Sequence, residues 1–395
     1  MTNAVLLSGD PITSARQPHS GLFELEQAKT LVTAGLSVGL ISVSPIPRRL
    51  ALGPYPYVSR ETVDDVRVVR QYRRKLRPYR GALFNSVART LVRRQLALLE
   101  DYGREHGIPD LIHAHNALHA GLVAVEAKRR HGIPYVLTEH RSGWLSDELP
   151  TVVRTAALPA FRGASRVWAV SARLAEAIVD RLEEIGEEDL PSIHVLPNIL
   201  GSSFRRTICA APPSEPIFLA VGNLVEVKRH GALLDAFAEG FAGTKARLRL
   251  IGDGPLRDDL ARRVSRLRIG AQVSLLGALT PDQVASQMCA ASAVVVSSRF
   301  ETFGVVLIEA LACGIPVVAP LGSGPDEIVG SSDGVMYEPQ DPQALVEAMR
   351  SVLGMRSPQL DLQRQFRSRE RFGPEAFLSR ILPIYDEIVG SSSSR

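Results

Sequence analysis

Short apolar runs rich in β-branched residues alternate with stretches of helical period along the chain, the pattern of parallel sheets covered by helices. In the first half the expected strands are 4-AVLLS-8, 37-SVGLISVS-44, 109-PDLIHAH-115, 134-PYVLTEH-140, 166-RVWAVS-171 and 193-IHVLPN-198. Helices are expected between them, such as 21–34, closed by Gly35, and 118–131, closed by Gly132 with Pro134 beyond. The stretch 200-LGSSFRRTICAAPPSEP-216 breaks the rhythm with Gly, Ser and Pro, which puts a domain boundary between residues 205 and 206. The rhythm then restarts, with strands expected at 217-IFLAVGNL-224, 247-RLRLIGDG-254, 273-VSLLGAL-279, 293-AVVVSS-298, 316-PVVAP-320 and 335-VMYE-338. Two doubly wound α/β domains in tandem follow. In such sheets ligands bind outside the carboxyl ends of the strands, so the residues just after each strand carry the chemistry.

A length of 395 residues and a 45% hydrophobic content suit two domains with separate cores. No apolar run of about 18 residues is present, and MTNAVLLSGDP has neither a basic n-region nor a small-residue cleavage site, so the chain reads as cytoplasmic. Cys209, Cys289 and Cys313 are odd in number and far apart, which argues for buried free thiols over a disulfide framework or zinc cage. The tail GSSSSR is low in complexity and is expected to fray. The net charge of +4 hides a block: residues 67–94 contain ten Arg or Lys and no acid.

The stretch 299-RFETFGVVLIEALACGIPVVAP-320 sets two carboxylates in a run otherwise fit for a core. Glu301 falls on the loop after strand 293–298. Glu309 falls two turns into a helix expected over 303–313, with Gly314 at its C-cap and Pro316 opening the next strand. Neighbours of Glu309 are apolar almost all round, and a buried carboxylate needs hydrogen-bonding partners, such as the hydroxyls of a sugar or ribose. The free N–H groups near Gly304 suit a phosphate. The plainer alternatives are a charge near a helix N-terminus for Glu301 and a solvated position for Glu309.

Glu301-Thr302-Phe303-Gly304 through Glu309-Ala310-Leu311-Ala312-Cys313-Gly314-Ile315-Pro316-Val317-Val318-Ala319 resembles the motif of the retaining glycosyltransferases of family 4. That resemblance implies the GT-B fold, two facing Rossmann-like doubly wound domains with the donor cleft between them. It gives Glu301 the donor sugar's hydroxyls and Glu309 the ribose, with Phe303, Gly304 and Val305 lining the donor site. Gly222-Asn223-Leu224-Val225-Glu226-Val227-Lys228 is similar to the loop in which an Arg and a Lys hold the donor diphosphate. Lys228 matches, whereas Asn223 stands where Arg is commoner; Arg229 and Arg299 are the candidates to supply that charge. Two cations suit a diphosphate leaving group, whose charge grows in the transition state.

Gly252 in Gly252-Asp253-Gly254-Pro255 occupies the loop near the nucleotide in this resemblance, and by itself is a tight-turn signal. The loop 321-LGSGPDEIV-329 resembles another helix N-terminus facing the donor, although Asp326 and Glu327 also fit as ordinary first-turn acids. Gly21, after a long first loop and beside Ser20, resembles the N-domain glycine whose N–H approaches the donor phosphate. His140, at the end of strand 134–140, matches the histidine near the reacting sugar and acceptor, with Arg141 beside it. His113 and His115 share one face of strand 109–115, with His119 a turn into the next helix. No carboxylate or thiol completes a metal set there, so His115 is placed on the acceptor side and no metal is expected. The segment 372-FGPEAFLSRILPIYDEI-388 looks like the terminal helix that rejoins the N-domain, over about 376–390.

In the basic block, Leu83, Phe84, Val87, Leu91, Leu98 and Leu99 share a helix with Arg89, Arg93 and Arg94, after the polar run Arg73 to Arg80. A solvated face and attachment to an anionic membrane surface both fit. Nucleic acid does not, since no recognition motif accompanies the charge. The combined expectation is a retaining hexosyltransferase of polysaccharide or glycoconjugate biosynthesis. It takes a nucleotide diphosphate sugar as donor and a sugar or lipid-linked acceptor, uses no cofactor or metal, and is cytoplasmic or peripheral on the inner face of the membrane. A nucleotide-sugar epimerase of the same architecture and a nonenzymatic sugar-nucleotide-binding protein are the alternatives. A dinucleotide-dependent dehydrogenase is disfavoured because 4-AVLLSGDPITS-14 lacks Gly-x-Gly-x-x-Gly.

Overall fold

The computed structural model describes residues 2–8, 21–46, 58–74, 83–146, 149–187, 189–207, 209 and 213–392. The first loop up to Ser20, the basic residues 75–80 and the side chains of Leu83, Phe84 and Val87 lie outside the described residues. The chain divides into two compact units, Met1–Ile199 with Pro374–Arg395, and Leu200–Gly373.

Unit 1 is built on an eight-stranded sheet. Its strands are β1 (Asn3–Ser8), β2 (Ser37–Ile46), β3 (Val58–Val63), β4 (Val66–Arg74), β5 (Leu111–His115), β6 (Tyr135–Glu139), β7 (Arg166–Ala169) and β8 (Ile193–Val195). Their spatial order is β3-β4-β2-β1-β5-β6-β7-β8, parallel throughout except for the antiparallel β3–β4 pair. Every strand expected from an apolar run forms. Burial on both faces is what lets Leu111–His115 and Tyr135–Glu139 be wholly buried.

The β3–β4 hairpin was not expected, because its second strand opens the basic block. Asp64 and Asp65 turn it with φ of 47° and 63°, the left-handed pair that suits a two-residue hairpin. Cross-strand partners then absorb charge that reads as solvated. Arg70, 2% exposed, donates from Nη1 to Glu61 Oε1 at 2.6 Å, and Arg67 donates to Ser37 Oγ at 2.7 Å and Tyr102 OH at 3.2 Å. The helix Leu83–His106 follows. Its Leu91, Leu98 and Leu99 are buried, so that apolar face covers the sheet instead of lying free for a membrane, while Arg93 and Arg94 stay exposed.

Unit 2 carries a six-stranded, wholly parallel sheet in the order β11-β10-β9-β12-β13-β14. The strands are β9 (Ile217–Val221), β10 (Arg247–Ile251), β11 (Val273–Gly277), β12 (Ala293–Val295), β13 (Val317–Pro320) and β14 (Gly334–Tyr337). One core joins the helices His230–Phe241 and Pro342–Val352 to these strands through Phe218, Phe237, Phe241, Val346 and Met349.

The helix Pro374–Ser392 belongs to unit 1 and takes in the first residues of the tail expected to fray, whose residues 393–395 lie outside the described residues. Phe377, Ile381, Tyr385 and Ile388, one helical stripe, enter the core formed by Leu25, Ala28 and Leu31. Each such burial stabilises by about 1.5–3 kcal/mol before conformational entropy is counted. The cysteines correct the free-thiol expectation: Cys209 and Cys289, 80 residues apart, are disulfide-bonded with Cα atoms 4.9 Å apart, and Cys313 is a buried free thiol. Sequence spacing carried no trace of this, since the pair meets only through the fold of unit 2.

Candidate functional site

In unit 2 the ends of β9 and β10 interlock. Gly222 N donates to Ile251 O at 2.9 Å, Leu224 N to Asp253 O at 3.0 Å and Leu256 N to Leu224 O at 3.1 Å. Gly252 has φ 141°, and a Cβ there would lie 1.9 Å from Gly222 O, so this glycine is required by close approach of two backbones. Asn223 is exposed at the tip.

Lys228 and Glu301 meet there: Lys228 Nζ donates to Glu301 Oε1, which also accepts from Ser298 Oγ at 2.7 Å. Their side chains are 29% and 11% exposed, an ion pair open on the lysine side. Ser297 Oγ donates to Lys228 O at 2.8 Å and Gly324 N to Glu301 O at 2.9 Å, fixing both backbones. Of the two candidate replacements for the missing arginine, Arg229 is engaged by Pro339 O at 2.6 Å. Arg299 is exposed and makes no side-chain bond among the described residues.

The helix expected from Phe303 begins at Val305, because Gly304 caps it with φ 93° and a Cβ there would lie 2.8 Å from Leu307 Cδ1. Glu309 is therefore just over one turn inside the helix Val305–Ala312, not two. Phe303 is buried against Phe372, with ring centroids 5.6 Å apart, while Val305 is half-buried. Glu309 keeps some exposed area, yet its carboxyl has no partner among the described residues and burial pushes its pKa up to about 8. Asp326 accepts from Gly322 N at 3.0 Å, an ordinary turn role.

Two polar groups near these residues escaped the sequence reading. His230 is 4% exposed with neither ring nitrogen in a hydrogen bond of ordinary length, and burial followed by the Lys228 charge lowers its pKa to about 4, against the Asn223 backbone, which raises it. Ser323 is 2% exposed with an unpaired hydroxyl. Their only signal in the sequence is position, beside Lys228 and just after β13.

In unit 1 the corresponding edge collects histidines. His113 and His115 stack at 4.4 Å, and His115 Nδ1 lies 3.0 Å from His140 Nε2. Both nitrogens of His113 are engaged, by Tyr385 OH at 2.8 Å and Thr138 Oγ1 at 2.7 Å. Phe23 covers His140, with centroids 4.6 Å apart, and Gly21, at φ 62°, caps the helix Leu22–Thr33 that carries it. Burial lowers the pKa of His115 to about 3, and burial with the His115 neighbour holds His140 well below its usual value. All three rings are thereby neutral near pH 7.

Glu139 organises the loop. Its carboxylate accepts from Ala117 N at 2.8 Å, His140 N at 3.0 Å and Arg141 N at 2.9 Å, tying the ends of β5 and β6 together. Burial outweighs these donors and raises its pKa. Arg141 itself is exposed. His119 departs from the expected helix: it sits in the turn Ala117–Gly121 at φ 63°, ψ −81°, and the helix starts only at Leu122.

Residues 25–198 match the model described as glycosyl transferase 4-like domain, and residues 204–372 match glycosyl transferases group 1. The chain is 28% identical over 352 residues to the putative teichuronic acid biosynthesis glycosyltransferase TuaC of Bacillus subtilis, covering 85% of each. It is 29% identical over 181 residues to N-acetyl-alpha-D-glucosaminyl L-malate synthase of Bacillus anthracis, a match to 45% of this chain and 46% of that protein. The solved sucrose-phosphate synthase of Thermosynechococcus elongatus shares the fold with a TM-score of 0.76 at 21% identity, over 99% of this chain and 100% of that one. With these domains on both units, the chain belongs to the GT-B glycosyltransferases, a glycosyl transferase 4-like domain joined to one of glycosyl transferases group 1.

Proposed function

We propose that this glycosyltransferase takes a nucleotide diphosphate sugar and transfers the sugar with retention of anomeric configuration, without a metal. The observation that carries this reading is the Lys228–Glu301 pair beside Gly304 at the start of the helix Val305–Ala312. Lys228, Arg299 and the free N–H groups of that helix neutralise the diphosphate as it leaves. Glu301, released from Lys228 by the phosphate, accepts hydroxyls of the sugar, and Glu309 accepts those of the ribose. The bond from the anomeric carbon to the diphosphate breaks while the acceptor oxygen bonds the same face. The acceptor proton passes to the departing phosphate. His140, neutral and oriented by Glu139 and His115, contacts the reacting sugar and acceptor from unit 1, with Arg141 on the acceptor side.

The relative named for teichuronic acid biosynthesis favours a glycoconjugate or lipid-linked acceptor. Exposed Arg93 and Arg94 support peripheral attachment to an anionic membrane; no helix among the described residues is long and apolar enough to cross one. The test is a panel of nucleotide sugars assayed for nucleotide release and transfer to membrane-extract acceptors, in EDTA and with added magnesium, the product's anomeric configuration being read by NMR. Retention in EDTA is expected; inversion, or dependence on magnesium, would overturn the mechanism.

A further inference from the structure

Cys209, Cys289 and Cys313 reach one point of unit 2 from three elements: the segment after the helix Ser202–Arg206, the end of the helix Pro281–Cys289 and the C-cap of the helix Val305–Ala312. Their sulfurs all lie within 4.8 Å of one another, the one such trio of metal-ligating side chains among the described residues. A permanent disulfide beside an idle thiol is the simpler account. Two observations favour more.

The elements are tied together without sulfur. Ser203 Oγ donates to Asp282 Oδ1 at 2.5 Å. Arg369 Nη2 donates to Thr207 O at 2.7 Å and Ala312 O at 3.0 Å, carbonyls close before Cys209 and Cys313. Gln365 Nε2 donates to Cys313 O at 3.2 Å. Opening the disulfide therefore leaves the three thiols converged. In addition, although burial and then the Glu309 carboxyl raise the Cys313 thiol to about 12, the Arg369 charge opposes them, and the Nε–H of Arg369 is a buried donor without a partner.

We propose that the reduced trio is a thiolate site for a soft divalent cation, zinc, separate from the transfer chemistry. A dithiol reductant supplies two electrons and two protons to the Cys209–Cys289 bond and is itself oxidised to a disulfide. Zinc then displaces the three thiol protons and forms three Zn–S bonds, with water in the fourth position. Zn–S bonds of about 2.3 Å hold thiolates about 3.8 Å apart, so the Cys313 sulfur shifts by about 1 Å or less while the other two separate. Three thiolates on Zn²⁺ leave a net single negative charge, which the Arg369 guanidinium offsets, its Nε–H supplying a hydrogen bond to sulfur. The metal would replace a covalent staple with a coordinate one and keep the helix carrying Glu309 anchored in both redox states.

The full chain is reduced with a dithiol, freed of it without oxygen, and titrated with zinc alone and with cobalt. Expected are one zinc per chain and a sulfur-to-cobalt charge-transfer band. Both Cys313→Ala and Cys289→Ser should weaken zinc binding by at least about tenfold. Oxidised Cys313→Ala should still form the Cys209–Cys289 disulfide, which reports its fold. Zinc uptake by the wild type no greater than by these variants, or uptake without the sulfur band, would overturn the proposal.

Discussion

His115 Nδ1 lies 3.0 Å from His140 Nε2; the outer nitrogen of His115, Nε2, has no hydrogen-bond partner, while the Asn198 side chain acts on His140. Two neutral imidazoles in this contact must share one tautomer, both Nδ1–H with His115 donating or both Nε2–H with His140 donating. His113, locked by Tyr385 and Thr138, holds His115 by stacking. His115→Phe keeps the stack and removes the tautomer control, so kcat is expected to fall about 100-fold with KM changed far less. An unchanged kcat would remove His115 from the reaction.

The same burial makes the fold acid-sensitive. The folded-state pKa of His115 is lowered from 6.5 to about 3, and those of His113 and His140 are lowered too. Between those values the unfolded chain binds protons that the folded one does not. Stability is therefore full above about pH 6.5 and is lost as pH falls toward 3. Melting temperatures measured from pH 7.5 to 4 should fall on the acid side, less steeply for His115→Phe.

Glu309 has the opposite sign. With a folded pKa raised from 4.5 to about 8, it is protonated at neutral pH, and its contribution to stability is lost as pH rises from 4.5 through 8. Hydroxyls donating to the carboxylate favour its charged form. Nucleoside diphosphate binding near pH 7 should thus release up to one proton, detected by calorimetry in buffers of different ionisation enthalpy. Glu309→Gln should release none and bind about 10–100-fold more weakly.

Glu301→Ala should lower turnover by at least about 100-fold and leave nucleoside diphosphate binding nearly intact. Lys228→Ala should weaken the diphosphate instead. Because the two side chains are paired, the double variant should lose less than the product of the single losses. Near-normal turnover by Glu301→Ala would remove it from the mechanism.

For the basic block, replacing Arg73, Arg74, Arg89 and Arg93 with Gln should release the protein from vesicles containing anionic lipid, each charge near the surface contributing about 1 kcal/mol. Unchanged flotation would end the membrane reading.

Apart from β3 and β4, the strands of both sheets were legible because parallel strands buried on two faces leave continuous apolar runs, as in 293-AVVV-296. Glu301 and Glu309 were legible as carboxylates in a core-like helix and its entry loop. The β3–β4 hairpin was not, since the burial of Arg70 depends on partners such as Glu61 on the neighbouring strand. His230 and Ser323 were equally hidden: nothing in a residue's identity says that its polar atoms end up buried.

Periodicity, caps and strand-end position depend on neighbours within a few residues, so the sequence by itself determined two doubly wound units and which side chains stand at the carboxyl ends of their strands. What only the tertiary structure decided depends on contacts between distant segments. Tyr385 reaches His113 across 272 positions, and Cys209 meets Cys289 across 80. Arg369 ties the segments leading to Cys209 and Cys313 together. Such meetings set the protonation of the histidines and the convergence of the sulfurs, because desolvation and sulfur–sulfur distance are properties of the packed chain.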